Sequence, residues 1–207
     1  MLSALQQGIA RYFTAEQLRR IRASSLFIAG CGGLGSNAAH ILVRCGFQRL
    51  TLLDCDFVEE SNLNRQFFFP DQVGKLKTEA LAENLLRLEP ELCLTTLTQR
   101  LKGPEVADLT RENDILIEAF DDPQCKAAFV SGAAATGKPT VCVSGIAGYG
   151  HTNAIMTKRI GKHIYLVGDR KNSTDMLPPL APRVMVAAAK EADLVLQLVL
   201  EGESMDA

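Results

Sequence analysis

The sequence predicts an α/β fold: a Rossmann-like, mostly parallel sheet with helices on both faces and an antiparallel hairpin at its C-terminal side. Three patterns lead to this prediction. Short apolar runs alternate with helix-like stretches, and strands that are apolar throughout are typical of a parallel sheet covered on both faces. A glycine-rich turn links the first apolar run to the next helix. Two strand-like runs flank Gly161 and Lys162, as expected for a hairpin.

Local signals indicate the first elements. Thr14 followed by Gln17 has the pattern of a capping box, which predicts a helix over 14–23. The apolar run 26–29 stops at a glycine and predicts a buried strand. A helix over 33–46 follows, because apolar residues recur there at helical spacing and a glycine ends the stretch.

The rest of the chain continues the alternation of strand and helix. A long helix closes the domain, and a crossover loop over 168–181 leads into it. The remaining strands are predicted at 49–54, 92–98, 114–119 and 139–144, with the hairpin within 152–167, and the remaining helices at 75–88, near 104–110, at 122–136 and from Pro182 onward.

Length and charge limit the kind of protein. A chain of 207 residues suits one domain, divided into an N-terminal arm and helix (1–24), a nucleotide-binding core (25–144) and a part with the hairpin, crossover loop and last helix (145–207). The net charge of −2 provides no broad basic field, so nucleic acid is disfavoured as the main partner. No run reaches the roughly 18–20 apolar residues of a membrane span, and the N-terminus lacks a secretory signal's apolar centre. We therefore expect a cytoplasmic protein without a membrane partner.

The six cysteines are scattered and include no CxxC pair. In a chain without an export signal, we expect them to be small buried apolar side chains rather than disulfides or zinc ligands. The sequence therefore predicts no zinc site. Their positions are 31, 45, 55, 93, 125 and 142.

A GxGxxG motif spans residues 30–35, between the first predicted strand and the helix after it. Glycines at these positions permit a tight turn and let a phosphate approach the backbone, where the helix N-terminus attracts an anion. Asp54 ends the next strand, where a carboxylate can accept hydrogen bonds from ribose hydroxyls. These features predict a nucleotide site, but they describe an NAD enzyme equally well.

The segment after Asp54 favours a triphosphate. Its polar loop supplies Asn62, Arg65 and Gln66, and the helix that follows begins with Lys75 and Lys77. Arginine offers bidentate donors to phosphate, and lysine offers a mobile point charge.

Three stretches of this region, GCGGLGSNAA, DCDFVEESNLNRQ and VGKLKTEAL, closely resemble the ThiF/MoeB/HesA adenylyltransferases, relatives of the ubiquitin-activating enzymes. The resemblance continues through DILIEAFDD and VSGIAGYGHTN to LAPRVMVAAAKEA, and so covers about residues 20 to 200. The later stretches look most like the short ThiF-type proteins of thiamine thiazole synthesis.

The resemblance implies roles for individual residues. Arg65, Lys77 and Asp121 would act in the reaction, with Asp121 also holding Mg²⁺ and Asp122 as the alternative for that role. Lys75 would be an additional lysine. The residues implied to bind ATP are Gly30, Gly32, Gly33, Leu34, Gly35, Asp54, Asp56, Asn62, Arg65, Gln66 and Lys77.

The same resemblance implies a reaction and partners. The enzyme would use ATP and Mg²⁺ to adenylate the C-terminal glycine carboxylate of a small ubiquitin-like sulfur carrier protein ending in Gly-Gly, and would form a homodimer. The last cysteine, Cys142, lies in an apolar strand and is expected to be buried, so no covalent carrier–cysteine step is expected. The loop 145–150 follows a strand end and is a candidate receiver for the carrier's tail.

Other functions remain open at this point. The activated carboxylate could belong to another ubiquitin-like protein or to a modified tRNA nucleoside. The glycine loop could serve an NAD-dependent oxidoreductase, or the chain could be a nucleotide-binding scaffold without activity. The histidines are expected to be structural, although His151 lies near a loop that could line the site.

Overall fold

In the computed structural model, which describes residues 2–172 and 176–203, strands and helices alternate along most of the chain. Residues 173–175 of the predicted crossover loop lie outside the described residues, as do residue 1 and 204–207. The strands are β1 (Ser25–Ala29), β2 (Arg49–Leu53), β3 (Cys93–Leu97), β4 (Ile115–Glu118), β5 (Thr140–Val143), β6 (Met156–Arg159) and β7 (Ile164–Gly168). The helices are α1 (Ala4–Ile9), α2 (Ala15–Ala23), α3 (Gly33–Arg44), α4 (Lys77–Leu88), α5 (Val106–Leu109), α6 (Pro123–Thr136) and α7 (Ala181–Glu201).

The strands form one sheet in the order β3-β2-β1-β4-β5-β7-β6. All neighbouring strands are parallel except β6 and β7, which pair antiparallel around the turn at Gly161. The predicted Rossmann-like sheet with an antiparallel C-terminal hairpin is therefore confirmed. Along the chain, β2 and β3 are added on one side of β1, and β4 then lies on the other side of β1. This reversal opens a crevice at the carboxyl ends of β1 and β4, where open α/β sheets bind ligands.

Both faces of the sheet are covered, as side-chain alternation along β1 shows. Leu26 and Ile28 pack into a large core with residues of α2, α3, α4 and α7. Phe27 and Ala29 point the other way, into a smaller core with Phe129 of α6 and residues of α5. Because the side chains of β1 are fully buried on both faces, the strand is apolar throughout, as predicted for the centre of a parallel sheet.

Two local predictions differ from the structure. β3 is not buried like the other parallel strands, because it forms an edge of the sheet and most of its side chains are exposed or half-exposed. The N-terminal arm contains the short helix α1, capped by Ser3, which is too short to show helical periodicity in the sequence. The capping box of α2 is present as predicted. Within the described part of the chain, no helix is long and apolar enough to cross a membrane.

Candidate nucleotide-binding and active site

A cleft of about 670 Å³ lies at the carboxyl ends of the central strands. Its size is in the range of small-molecule sites, and its position is the switch point between β1 and β4. The glycine loop, the segment after β2 and the segment after β4 all contribute to its walls. All of the residues predicted for the site line this cleft except Gly35 and Asn62.

The glycine loop turns sharply from β1 into α3. Gly30 has φ +98°, and a Cβ there would lie 2.7 Å from the carbonyl oxygen of Ala119. A Cβ at Gly35 would lie 1.8 Å from the Gly30 carbonyl oxygen, so Gly35 allows the helix to pack on the strand and does not reach the cleft. Gly32 is the N-cap of α3 and provides no side-chain cap. The first N–H groups of α3 are therefore available to an anion in the cleft.

Asp54 is positioned by backbone groups at the end of β2. Its carboxylate accepts hydrogen bonds from the backbone N–H of Cys31 at 2.6 Å and of Asp56 at 2.9 Å. Burial raises the pKa of Asp54, although both hydrogen bonds and the nearby charge of Lys77 oppose this increase. The two bonds fix the carboxylate beside the glycine loop, facing the cleft.

Lys77 is the first residue of α4 and reaches into the cleft with a side chain that is only 9% exposed. Its ammonium group lies 2.8 Å from the carboxylate of Asp56. Burial favours a lower pKa for Lys77, but the hydrogen bond to Asp56 and the charges of Asp54, Asp56 and Asp121 outweigh it, so the pKa is raised. Lys77 therefore carries its positive charge inside the cleft. Lys75, in contrast, pairs with Glu83 on the surface.

Arg65 also lines the cleft, close to the glycine loop, since a Cβ on Gly33 would lie 3.5 Å from its side chain. Its guanidinium donates to the backbone oxygen of Ser61 and to the side chain of Asn64. The side chain of Asn37 donates to the backbone oxygen of Arg65 and so fastens this loop to α3. Partial burial lowers the pKa of Arg65 from its high ordinary value, and the charge of Asp121 opposes this. A guanidinium remains charged at neutral pH.

Two neighbours in the same loop have different positions. Gln66 lines the cleft, and its side-chain oxygen is buried without a hydrogen-bond partner in the described structure. Asn62 does not line the cleft. Its side chain accepts from the Glu59 N–H and donates to Ser61, and so stabilises the turn that carries Arg65.

The two aspartates after β4 are used differently. Asp122 is the N-cap of α6, where its carboxylate accepts from the Cys125 N–H at 2.8 Å. Asp121 lines the cleft and is exposed. Among the residues that the structure describes, no donor lies within hydrogen-bond distance of its carboxylate. The structure therefore distinguishes a capping residue, Asp122, from a neighbour whose oxygens are available to a ligand.

The donor set suits a magnesium ion bound together with a nucleotide. Magnesium prefers oxygen ligands, often one or two carboxylates completed by phosphate and water. Asp121 offers such a carboxylate. Asp54, Cys55 and Asp56 also have possible ligand atoms within 4.8 Å of one another, although Asp56 is paired with Lys77. The absence of zinc remains a prediction.

The opposite wall of the cleft was not fully predicted. It includes the loop after β5, represented by Ile146 and Ala147, together with Asn172. The segment after β3 adds Arg100, and Lys126 of α6 pairs with the fully buried Glu118 at 2.6 Å. The loop after β5 was expected at the site because it follows a strand end, whereas Arg100 was missed and could have been found by applying the same strand-end rule to β3. The burial of Glu118 has no sequence signal.

Only three of the six cysteines are buried, so that expectation is wrong for the exposed Cys55 and Cys93 and is met only in part by the half-buried Cys45. Cys55 lines the cleft and is exposed, because it lies in the loop after β2, and Cys93 is exposed because it begins the edge strand β3. Cys142 is buried as expected. Burial, followed by the charge of Glu118, raises the pKa of its thiol to about 12, which leaves little thiolate at neutral pH.

The histidines lie outside the cleft lining. His40 stacks on Phe67 with a ring-centroid distance of 4.2 Å. His163 contacts the carboxylate of Glu203. His151 has φ +49° and ends the loop after β5, where its backbone oxygen accepts from Arg183.

Several known proteins are similar to this chain in sequence and in fold. "Ubiquitin-like modifier-activating enzyme 5" of Arabidopsis thaliana is 45% identical over 94 residues, 45% of this chain and 22% of that protein. Molybdopterin-synthase adenylyltransferase of Escherichia coli is 34% identical over 142 residues, 68% of this chain and 57% of that protein. The matches thus span less than two thirds of these curated relatives. The crystal structure of E. coli tRNA N6-threonylcarbamoyladenosine dehydratase in complex with ATP has the same fold, with a TM-score of 0.85, 22% identity and 96% coverage of both chains.

The family assignment rests on nearly the whole chain. The sequence features of the ThiF family match residues 5–203, from α1 to the end of α7. This stretch includes the glycine loop, the segment after β2 and both walls of the cleft. The chain belongs to the ThiF family.

Proposed function

We propose that this chain is an ATP-dependent adenylyltransferase that activates the C-terminal glycine carboxylate of a small ubiquitin-like sulfur carrier protein, of the kind used in thiamine thiazole synthesis. One observation carries the proposal. A single cleft combines a glycine loop at a helix N-terminus, a backbone-bound carboxylate and the two cations Lys77 and Arg65. The combination suits a nucleoside triphosphate, and it has no evident use in a dinucleotide enzyme or an inactive scaffold.

Each group has a role in such a reaction. Asp54 would accept hydrogen bonds from ribose hydroxyls, and the N–H groups of the glycine loop would face the phosphates. A carboxylate oxygen of the substrate attacks the α-phosphorus of ATP, and the bond to the bridging oxygen of pyrophosphate breaks. Lys77 and Arg65 would offset the negative charge that gathers on the phosphate oxygens, a contribution typically worth 10²–10³ in rate, roughly, for one well-placed donor.

Neither a general base nor a covalent nucleophile is needed. A C-terminal carboxylate is already ionised at neutral pH, and Cys142 is buried with a raised pKa. When bound, Mg²⁺ would neutralise phosphate charge, with Asp121 as the residue whose carboxylate is available to hold it. The product would be an acyl-adenylate, and sulfur transfer would fall to a partner protein.

The substrate side of the proposal rests on the wall opposite the glycine loop. Gly145, Ile146 and Ala147 line the cleft there, and the small side chains of Gly145 and Ala147 leave room for an extended tail that ends in glycines. The exposed Lys158 on β6 adds positive charge on the sheet edge, which suits an acidic carrier. A homodimer is proposed from the family resemblance.

A second candidate substrate is the carboxylate of a modified tRNA nucleoside. Its support is the likeness to tRNA N6-threonylcarbamoyladenosine dehydratase, which covers 96% of both chains. The net charge of −2 weighs against it, because most of the affinity for tRNA comes from basic side chains on phosphates.

ATP–pyrophosphate exchange with Mg²⁺ tests the proposal and separates the two substrates. We expect exchange only when a carrier protein ending in Gly-Gly is added, and none when its last glycine is deleted. Arg65→Ala should slow exchange at least about tenfold, whereas Arg111→Ala, at an exposed surface pair with Asp108, should not. Exchange that depends on threonylcarbamoylated tRNA instead would establish the second candidate. Exchange with neither substrate would contradict the proposed function.

A further inference from the structure

Arg183, in the first turn of α7, is buried to 1% exposure and does not line the cleft. Each of its three guanidinium nitrogens nevertheless donates a hydrogen bond. The guanidinium donates to the backbone oxygen of Ile146 at 3.3 Å, of Gly150 at 2.8 Å and of His151 at 3.1 Å, and forms an ion pair with the carboxylate of Asp169. The three accepting carbonyls belong to one segment, the loop 144–151 after β5.

The backbone of this loop is too irregular to form the hydrogen-bond ladder of a β-strand. Gly145, Gly148, Gly150 and His151 all have positive φ, at +76°, +87°, +65° and +49°. Positive φ is disfavoured for a residue with a side chain, so His151 requires support from its surroundings. The planar fork of an arginine can donate to several acceptors at fixed angles, and Arg183 donates on both sides of these turns.

Asp169, the ion-pair partner of Arg183, holds the segment after β7 in place. Asp169 accepts from the backbone N–H of Lys171 and of Asn172 and from the side chain of Asn172. The backbone N–H of Asp169 donates to the Gly145 oxygen. The pair of Arg183 and Asp169 therefore joins three segments: the start of α7, the loop 144–151 and residues 169–172.

Residues of these three segments form one wall of the cleft. Ile146, Ala147 and Asn172 line the cleft, as does Val184, the residue next to Arg183. The glycine loop is held by other contacts, chiefly the strand β1, Asp54 and Asn37. The hydrogen bonds of Arg183 and Asp169 thus do not include the glycine loop, and Val184 meets that loop only through apolar contact, at 3.0 Å from the position of a Cβ on Gly33.

We propose that Arg183, through Asp169, is a positioning residue for the wall that receives the carboxylate substrate, and not for the nucleotide. The inference rests on the proposed function, since it assigns the wall formed by 144–147 and Asn172 to the acyl substrate. Loss of the network should displace the carrier's tail relative to the α-phosphorus while ATP binding persists. A displacement of about 1 Å from a reactive geometry can cost on the order of 10²-fold in rate.

The test uses Arg183→Lys, which keeps the charge and loses the fork, and Asp169→Asn, which keeps an acceptor and loses the charge. Arg111→Met is the control, because Arg111 also pairs with a carboxylate, that of Asp108, but on an exposed surface away from the cleft. ATP–pyrophosphate exchange gives kcat/KM for a Gly-Gly carrier protein and, separately, the KM for ATP. Hydrogen–deuterium exchange of each folded variant reports on the loops without any substrate.

We expect kcat/KM for the carrier to fall about tenfold or more in both variants, with the KM for ATP within about twofold of wild type. Amides of 144–151 should exchange faster, with those of 30–35 unchanged, and Arg111→Met should behave as wild type in both measurements. A rise in the KM for ATP as large as the loss in kcat/KM for the carrier, an unchanged kcat/KM for the carrier, or variants that do not fold would each overturn the positioning role. If wild-type protein shows no carrier-dependent exchange, the proposed function fails, and hydrogen exchange alone decides whether Arg183 supports this wall selectively.

Discussion

Replacing Glu191 with glutamine should stabilise the protein increasingly as the pH rises. Glu191 lies in α7, is fully buried, and neither of its carboxylate oxygens has a hydrogen-bond partner in the described structure. Burial raises the pKa of Glu191 well above its ordinary value, the charge of Glu118 on β4 raises it further, and Lys126 on α6 opposes the shift. The carboxyl group therefore favours its protonated form in the folded chain.

The sign of this pH dependence follows from the number of protons that the folded and unfolded chains bind. Below the ordinary pKa of a glutamate, the folded and unfolded chains both hold this proton, and Glu191 has no effect on the pH dependence. Above it, the unfolded chain releases the proton while the folded chain retains it. The free energy of unfolding then falls by up to about 1.4 kcal/mol per pH unit until the folded group also ionises. Glu191→Gln removes this loss, and over two pH units the gain reaches about 2.7 kcal/mol at most.

Urea unfolding at about pH 5.5 and pH 7.5 measures the effect. The difference in free energy of unfolding between Glu191→Gln and wild type should be larger at the higher pH. Asp193→Asn is the matched control, because Asp193 is on the same helix but exposed, and its difference from wild type should stay constant. If wild type and Glu191→Gln lose stability in parallel over this interval, Glu191 is ionised in the folded state or solvated, and the reasoning is refuted.

Three further predictions concern the cleft. Lys77→Met should slow adenylation at least about tenfold. Lys75→Met, which removes a lysine from a surface ion pair, should leave the rate within about twofold of wild type. Similar rates for both variants in steady-state assays would contradict the role of Lys77 in the reaction. Asp121→Asn should raise the Mg²⁺ concentration needed for half-maximal exchange, and an unchanged magnesium titration would exclude it as a ligand. ATP should slow labelling of Cys55 by a thiol reagent and leave Cys93 unaffected, since Cys55 lines the cleft and Cys93 lies on the edge strand; equal labelling with and without ATP would place the nucleotide elsewhere.

Several features could be derived from the sequence because they depend on residues close together in the chain. The capping box of Thr14 and Gln17 is complete within one helical turn. The glycine motif predicted a strand, a tight turn and a helix, and the structure contains all three. The hairpin signal at Gly161 likewise depends on adjacent residues. The alternation of apolar runs with helices then predicted the parallel sheet, since a parallel crossover needs a helix between strands.

The position of the site could also be inferred, but not the use of each residue in it. Parallel strands bring their carboxyl ends to one edge, which is why Asp54 and Asp121 both line the cleft. The sequence could not distinguish Asp121 from Asp122, because only the start of α6 makes Asp122 a cap. Nor could it show that Asn62 serves the turn that carries Arg65 and does not line the cleft.

The sequence by itself therefore determined the type of fold, the family and the chemical groups available to a nucleotide. Only the tertiary structure decided which of those groups are buried, paired or exposed to the cleft. Arg183 bonds to carbonyls more than 30 residues away along the chain, and Glu191 is buried near the charges of Glu118 and Lys126. Burial and pairing of this kind arise when distant segments pack together, and the free energy of a charged side chain depends on those neighbours rather than on its position in the sequence.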